Sequence, residues 1–252
     1  MSRLPPTLSA ALIAAGLALF VGIAPAGAQD AVSLTVASDG DLVPSLRVAF
    51  MLMALSLVPA FLMSVTSFTR IVIVLGFVRQ ALGTHSAPPN QVIVGLSLFL
   101  CLFTMGPVFS QIHDVAIAPY QAGELSDMEA LDAGMGPVRT FMARHTRPED
   151  LGLFVSMIQE DKPENLADVS TTVMIPAFML SELRTAFIMG SLILIPFLII
   201  DMVVASVLMA MGMMMVPPVM VSLPIKLLLF VLADGWNLVI GSLARSVMGG
   251  GL

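Results

Sequence analysis

The chain has 252 residues, 58% of them apolar and only 11% charged, with a formal net charge of −6. Soluble domains run nearer about 45–50% apolar and about 25% charged, which sets a water-soluble globular enzyme aside. The acidic balance also removes nucleic acid from the partners, because phosphates are met by a basic face.

The chain opens with Arg3, an apolar and small-residue run from Leu8 to Ala24, and a breaking Pro25. Ala26-Gly27-Ala28 fits the small-x-small rule for signal cleavage. Residues 1–28 are therefore expected to be a signal peptide cut after Ala28, with an uncleaved first helix as the alternative. Cleavage leaves 29–46 as a short periplasmic segment.

Two uncharged stretches follow, Val48 to Phe68 and Val92 to Ile112. Each is long enough to cross a hydrocarbon core of about 30 Å. They predict a first helical hairpin over 47–112. Its connecting loop carries Arg70 and Arg79, and short arginine-bearing loops stay on the cytoplasmic side.

From His113 to Leu183 there are twelve acids against four bases, Arg139, Arg144, Arg147 and Lys162. This segment, 113–183, is expected to be a helical insert on the periplasmic side. Val138, Phe141, Met142 and His145 recur at helical spacing, as do Leu151, Phe154, Val155 and Ile158. Thr146-Arg147-Pro148-Glu149 reads as a capping box starting the second of these helices, and Lys162-Pro163-Glu164-Asn165 reads as a turn. Two such helices alone bury little, so packing against copies of the chain or a partner is expected.

Residues 184–252 read as a second, broken hairpin. Thr185 to Ile200 ends at Asp201, Met202 to Leu223 continues to Lys226, and Leu227 to Ile240 is interrupted by Asp234. Pro196, Pro217-Pro218 and Pro224 fall within the same tract. The whole is an all-α integral membrane protein of four long, partly broken helical segments, paired as two hairpins with the helical insert between them.

No enzyme, metal or cofactor signature stands out. His85, His113 and His145 lie apart, Cys101 has no second cysteine, and neither a P-loop nor a zinc motif occurs. An aspartyl pair of Asp201 and Asp234 would need a water-filled pocket, and catalysis is the weaker reading. Charges at membrane depth are normally paired or face a cavity. If the tract folds back near residue 213, Asp201 and Lys226 share a height; Glu182 and Arg184 are alternative partners. Met209, Met211, Met213, Met214 and Met215 crowd the same fold-back beside Gly212. Methionine is flexible and polarizable, so the run predicts a deformable apolar constriction that closes by dewetting.

Ser67-Phe68-Thr69-Arg70-Ile71-Val72-Ile73-Val74-Leu75 and Pro88-Pro89-Asn90-Gln91-Val92 form one set of ordered strings. Pro176-Ala177-Phe178-Met179-Leu180-Ser181-Glu182-Leu183-Arg184, Pro196-Phe197-Leu198-Ile199-Ile200-Asp201 and Ser222-Leu223-Pro224-Ile225-Lys226 form another. Together these strings resemble the FliP family of flagellar biosynthesis proteins, related to the injectisome export proteins. Ile188 departs from it, standing where the family usually carries a polar residue.

The resemblance implies a core subunit of the type III export gate, in the bacterial inner membrane at the flagellar basal body. Such chains assemble as a homo-oligomer, a pentamer, with FliQ and FliR, beside FlhB and FlhA, and pass unfolded substrates through a pore. It implies that the five methionines seal that pore. It also implies that Glu182 and Lys226 lie at subunit contacts, favouring Glu182 over Asp201 as the partner of Lys226. The alternative function is a small-solute or proton-coupled transporter with Asp201 and Lys226 as relay.

Overall fold

The computed structural model describes residues 42–84, 86–158, 169–213 and 215–249. The signal segment with its cleavage after Ala28, the turn at Lys162–Asn165 and Met214 lie outside the described residues. All regular elements among the described residues are helical. Two compact units divide the chain, Met1–Leu62 and Met63–Leu252. The described part of the first is helix α1 (Leu42–Val65), whose end belongs to the second.

In the second unit α2 (Phe68–Ala81) and α3 (Asn90–Thr104) are followed by α4 (Gly106–Ile112), a π-helical turn (His113–Ile117) and α5 (Ala118–Ala122). Then come α6 (Asp127–His145), α7 (Pro148–Ile158), α8 (Thr171–Ala210), α9 (Pro218–Leu232) and α10 (Gly235–Met248).

The stretch expected as the Arg70–Arg79 loop is helical. In α2 Ile71, Val74, Leu75 and Val78 recur on one face and are all buried. That periodicity is the helix signal, and it continues straight through the two arginines. Arg70 turns inward and is buried; Arg79, in the last turn of α2, reaches the start of α3, where its Nη1 donates to Asn90 Oδ1 at 2.5 Å.

Helix α2 lies against α8 at very close range. A Cβ built on Gly190 would stand 2.3 Å from the Phe77 ring, so only glycine admits that ring. Phe187, nearly one turn earlier, meets the same ring edge-on with centroids 5.4 Å apart.

Helix α8 is the axis of the unit. Its 40 residues rise about 60 Å, twice a hydrocarbon core. It runs unbroken through Pro176, Pro196 and Asp201, where the sequence had predicted an end. It is also the one helix among the described residues that could cross a membrane by itself. Wholly within this unit, two pairs reach that length only as bent spans: α3 with the segment Gly106–Ala122, bent by 56°, and α9 with α10, bent by 63°. The second bend sits at Asp234, whose left-handed φ of 50° is unusual outside glycine. Gly235 follows it because the Phe230 ring fills the space a Cβ would need.

The insert packs on α8 along most of its two predicted apolar stripes: Leu151, Phe154 and Val155 of α7 lie against the core, while Ile158 stays exposed. Phe141, Met142 and His145 of α6 are buried, and Phe141 meets Phe178 of α8 at 5.8 Å. Arg139 fixes the start of α8, donating to Thr171 Oγ1 at 2.6 Å and to the Val169 carbonyl at 2.5 Å. The capping box is elsewhere than predicted. Thr146 Oγ1 donates back to the Met142 carbonyl at 2.7 Å, closing α6 instead of opening α7. Ser126 and Glu129 form the reciprocal box, at the start of α6.

Candidate functional site

Helices α8 and α9 run into and out of the methionine turn, and the turn follows from its backbone. Gly212 takes a left-handed φ of 74°; its N–H donates to the Met209 carbonyl at 3.0 Å, and the Met213 N–H donates to Leu208 at 2.9 Å. That paired closure satisfies the orphan carbonyls at the end of a helix and stops it cleanly. Pro217 and Pro218 then start α9, where a missing N–H costs nothing. The thioethers point outward: Met215 is 97% exposed and Met211 67%. Of the five methionines named from sequence, four lie at this tip, and Met214 is outside the described residues.

Behind the tip a charged pair ties the two helices together. Lys226 Nζ of α9 donates to Asp201 Oδ2 of α8 at 2.5 Å, and Ser222 Oγ donates to Asp201 Oδ1 at 2.6 Å. Lys226 and Ser222 are buried; Asp201 remains partly exposed. The fold-back about residue 213 brings these groups to one height, and both carboxylate oxygens are satisfied.

Glu182 does not reach Lys226 within the chain. Its carboxylate is held by Arg70 of α2, whose Nε donates to Oε2 at 2.8 Å while Nη2 bonds Oε1. The remaining guanidinium nitrogen, Nη1, donates to the Ser246 carbonyl at 2.9 Å and to Ser246 Oγ at 3.2 Å. Both partners are almost wholly buried, at 2% and 1% exposure, and every nitrogen of the planar fork is bonded. His145 of α6 completes the cluster. Its Nδ1 and Nε2 each lie 2.9 Å from a carbonyl oxygen, of Phe141 and Val247 respectively. Arg70 and His145 thus meet two of the last carbonyls of α10, the end of a helix that favours cations.

A third acid, Asp150 of α7, is buried; it accepts from Ser181 Oγ at 2.7 Å and lies 3.6 Å from Arg184. Ser181 Oγ in turn accepts from the Arg147 N–H at 3.0 Å. Three carboxylates of the apolar half or its neighbours are therefore each tied to a different helix. Arg184, considered from sequence as an alternative partner for Asp201, serves Asp150. Arg70, Asp150, His145 and Ser222 were not singled out for this role; the available signal was only that charged or polar residues interrupt apolar helical stripes.

Comparison with known proteins gives a consistent picture. The FliP family model matches residues 51–243. The flagellar biosynthetic protein FliP of Bacillus subtilis (strain 168) is 52% identical over 216 residues, covering 85% of this chain and 98% of that one. The FliP of Caulobacter vibrioides is 44% identical over 244 residues, covering 96% of this chain and 92% of its own length. That of Aquifex aeolicus is 50% identical over 210 residues, covering 82% and 88%.

Proposed function

The chain belongs to the FliP family, and we propose that it is a core subunit of the flagellar type III export gate, a conduit and not an enzyme. In this reading several copies, a pentamer, assemble with FliQ and FliR in the bacterial inner membrane. FlhB and FlhA stand beside them, and unfolded flagellar substrates pass through the shared pore. The acidic insert faces the periplasm.

The observation that carries the reading is the methionine turn at the tip of the α8–α9 hairpin. Its side chains are apolar, unbranched and outward-facing, and the Asp201–Lys226 pair braces the helices that present them. Copies arranged about an axis would converge such tips into a ring of thioethers. A ring of that kind excludes water and ions when empty and can repack around a passing chain. The large apolar area left bare on α8, at Leu192, Ile199 and Met202 among others, suits burial in lipid or against neighbouring subunits.

The test is to delete Met213 to Met215 and measure ion leakage in cells and in bilayers carrying the assembled complex. The expected result is assembly of normal size together with a constitutive leak. An assembled deletion complex with unchanged conductance would overturn the gate role of the turn. Isolation of the intact chain as a monomer or simple dimer, without other export components, would favour the solute-transporter reading, with Asp201 and Lys226 as its relay.

A further inference from the structure

The methionine turn has a chemical property that a merely apolar closure would not need. Between Val207 and Val219 no side chain carries oxygen or nitrogen, so the side-chain donor set there consists of thioether sulfur alone. Met209, Met211, Met213 and Met215 are all accessible, from 42% exposed at Met213 to 97% at Met215. They alternate along the chain. The bonds from Gly212 to Met209 and from Met213 to Leu208 curl the first part of the run into one turn. A second turn closes behind it, where the Val216 N–H donates to the Met213 carbonyl at 3.3 Å. The first turn runs from Met209 to Gly212 and the second from Met213 to Val216; each keeps its ends within about 7 Å, so the methionines in and beside them start close enough for side chains with three rotatable bonds to converge.

Thioethers are soft, neutral ligands. They bind hard cations such as Mg2+ and Ca2+ poorly, and they select soft monovalent d10 ions. We propose that Met209, Met211, Met213 and Met215 form a binding site for such an ion, Cu(I) or its analogue Ag(I), held by thioether sulfur at the tip of the hairpin. No proton need leave the ligands when the ion binds, unlike a thiolate or imidazolium site. The ion brings its charge to a segment with no acid of its own, so coordination to sulfur supplies the affinity. The proposal concerns binding at the turn and holds whether or not the turn closes a pore.

The experiment is a silver nitrate titration of the full chain, in the assembly it forms in detergent, followed calorimetrically in buffer free of chloride and thiols. Cys101→Ala is carried throughout, because a thiol would compete for silver. Saturable binding is expected, weakened at least tenfold when all five methionines from Met209 to Met215 become leucine. The control changes Met128, Met202 and Met220 to leucine; these are also exposed but lie outside the turn, and binding should be unchanged. Equal silver affinity in the five-leucine chain overturns the proposal. If that chain does not fold, X-ray absorption of the selenomethionine-labelled chain loaded with Cu(I) decides the matter. Selenium in the first shell supports the site, and a shell of nitrogen or oxygen only refutes it.

Discussion

Replacing Glu182 by glutamine changes almost no volume, yet it removes the negative charge from a guanidinium that is 2% exposed. Glutamine keeps one acceptor oxygen, and Ser246 still accepts from Arg70 Nη1, so the cation is left bonded but uncompensated. Breaking a buried pair by removing one partner costs about 3–5 kcal/mol. The retained bonds place Glu182→Gln near the lower end, about 3 kcal/mol. For a unit of this size about 1 kcal/mol moves the melting point by about 2–4 °C, so a fall of about 6–12 °C is expected. The double variant Arg70→Met with Glu182→Leu separates charge from packing. Apolar replacement of a whole buried pair is often close to neutral, so the double variant should recover most of what either single change loses. Thermal unfolding of the detergent-solubilised chain measures Glu182→Gln, the double variant and the double variant's two single changes. Hydrogen exchange in the last turn of α10 should rise wherever Arg70 is replaced by Met, because Arg70 holds the Ser246 carbonyl there. A Glu182→Gln chain within about 1 kcal/mol of the parent, or additive losses in the double variant, would refute the reasoning.

Lys226→Glu sets a carboxylate against Asp201 and should abolish a properly folded α8–α9 hairpin, read as loss of the assembled, monodisperse chain. Asp201→Lys in the same chain should restore it and Glu182→Lys should not, since Glu182 is already committed to Arg70. Gly190→Ala drives a methyl group into the Phe77 ring and should cost about 1–3 kcal/mol in thermal unfolding; Phe77→Leu in the same chain should return part of it. At the start of α6 the Ser126 N–H, then its hydroxyl, hold the Glu129 carboxyl below its ordinary value near 4.5. A depressed value means that the capping box is fully formed above that pH and is lost as pH falls through the folded value. Amide exchange at residues 126–129, corrected for intrinsic rate, should therefore rise in acid, and Glu129→Gln should flatten that dependence.

Where the sequence was legible, local rules were enough. The apolar stripes at Val138–His145 and Leu151–Ile158 form the two helices of the insert, and the methionine run sits at a real turn because Gly212 and Pro217-Pro218 are local stop and start signals. The errors came from residues whose environment is set by distant partners. Asp201 looked like the end of a span, but Ser222 and Lys226 arrive from α9 to satisfy both of its oxygens, so the helix has no reason to stop. Arg70 looked like a flanking charge because its partner, Glu182, is far along the chain. Ser126-Asp127-Met128-Glu129 and Thr146-Arg147-Pro148-Glu149 carry the same capping pattern. The second fails because α6 runs to His145, leaving the Thr146 hydroxyl beside the Met142 carbonyl.

The charges of α8 make sense once their spacing is compared with a bilayer. Glu182 and Asp201 stand about 28 Å apart along the helix axis, close to one hydrocarbon thickness of about 30 Å. Between Thr185 and Ile200 there is no charged residue, and the side chains at Leu192, Ile195 and Ile199 face outward. Beyond each end of that stretch the ionised group is already bonded: Glu182 to Arg70, Asp201 to Lys226 and Ser222. A helix of twice the bilayer thickness cannot hide all its polar groups in lipid or expose all its apolar ones to water. Here the uncharged middle is left free for an apolar environment. The two carboxylates at its ends are paired by α2 and α9, so each costs less at membrane depth than an unpaired charge would.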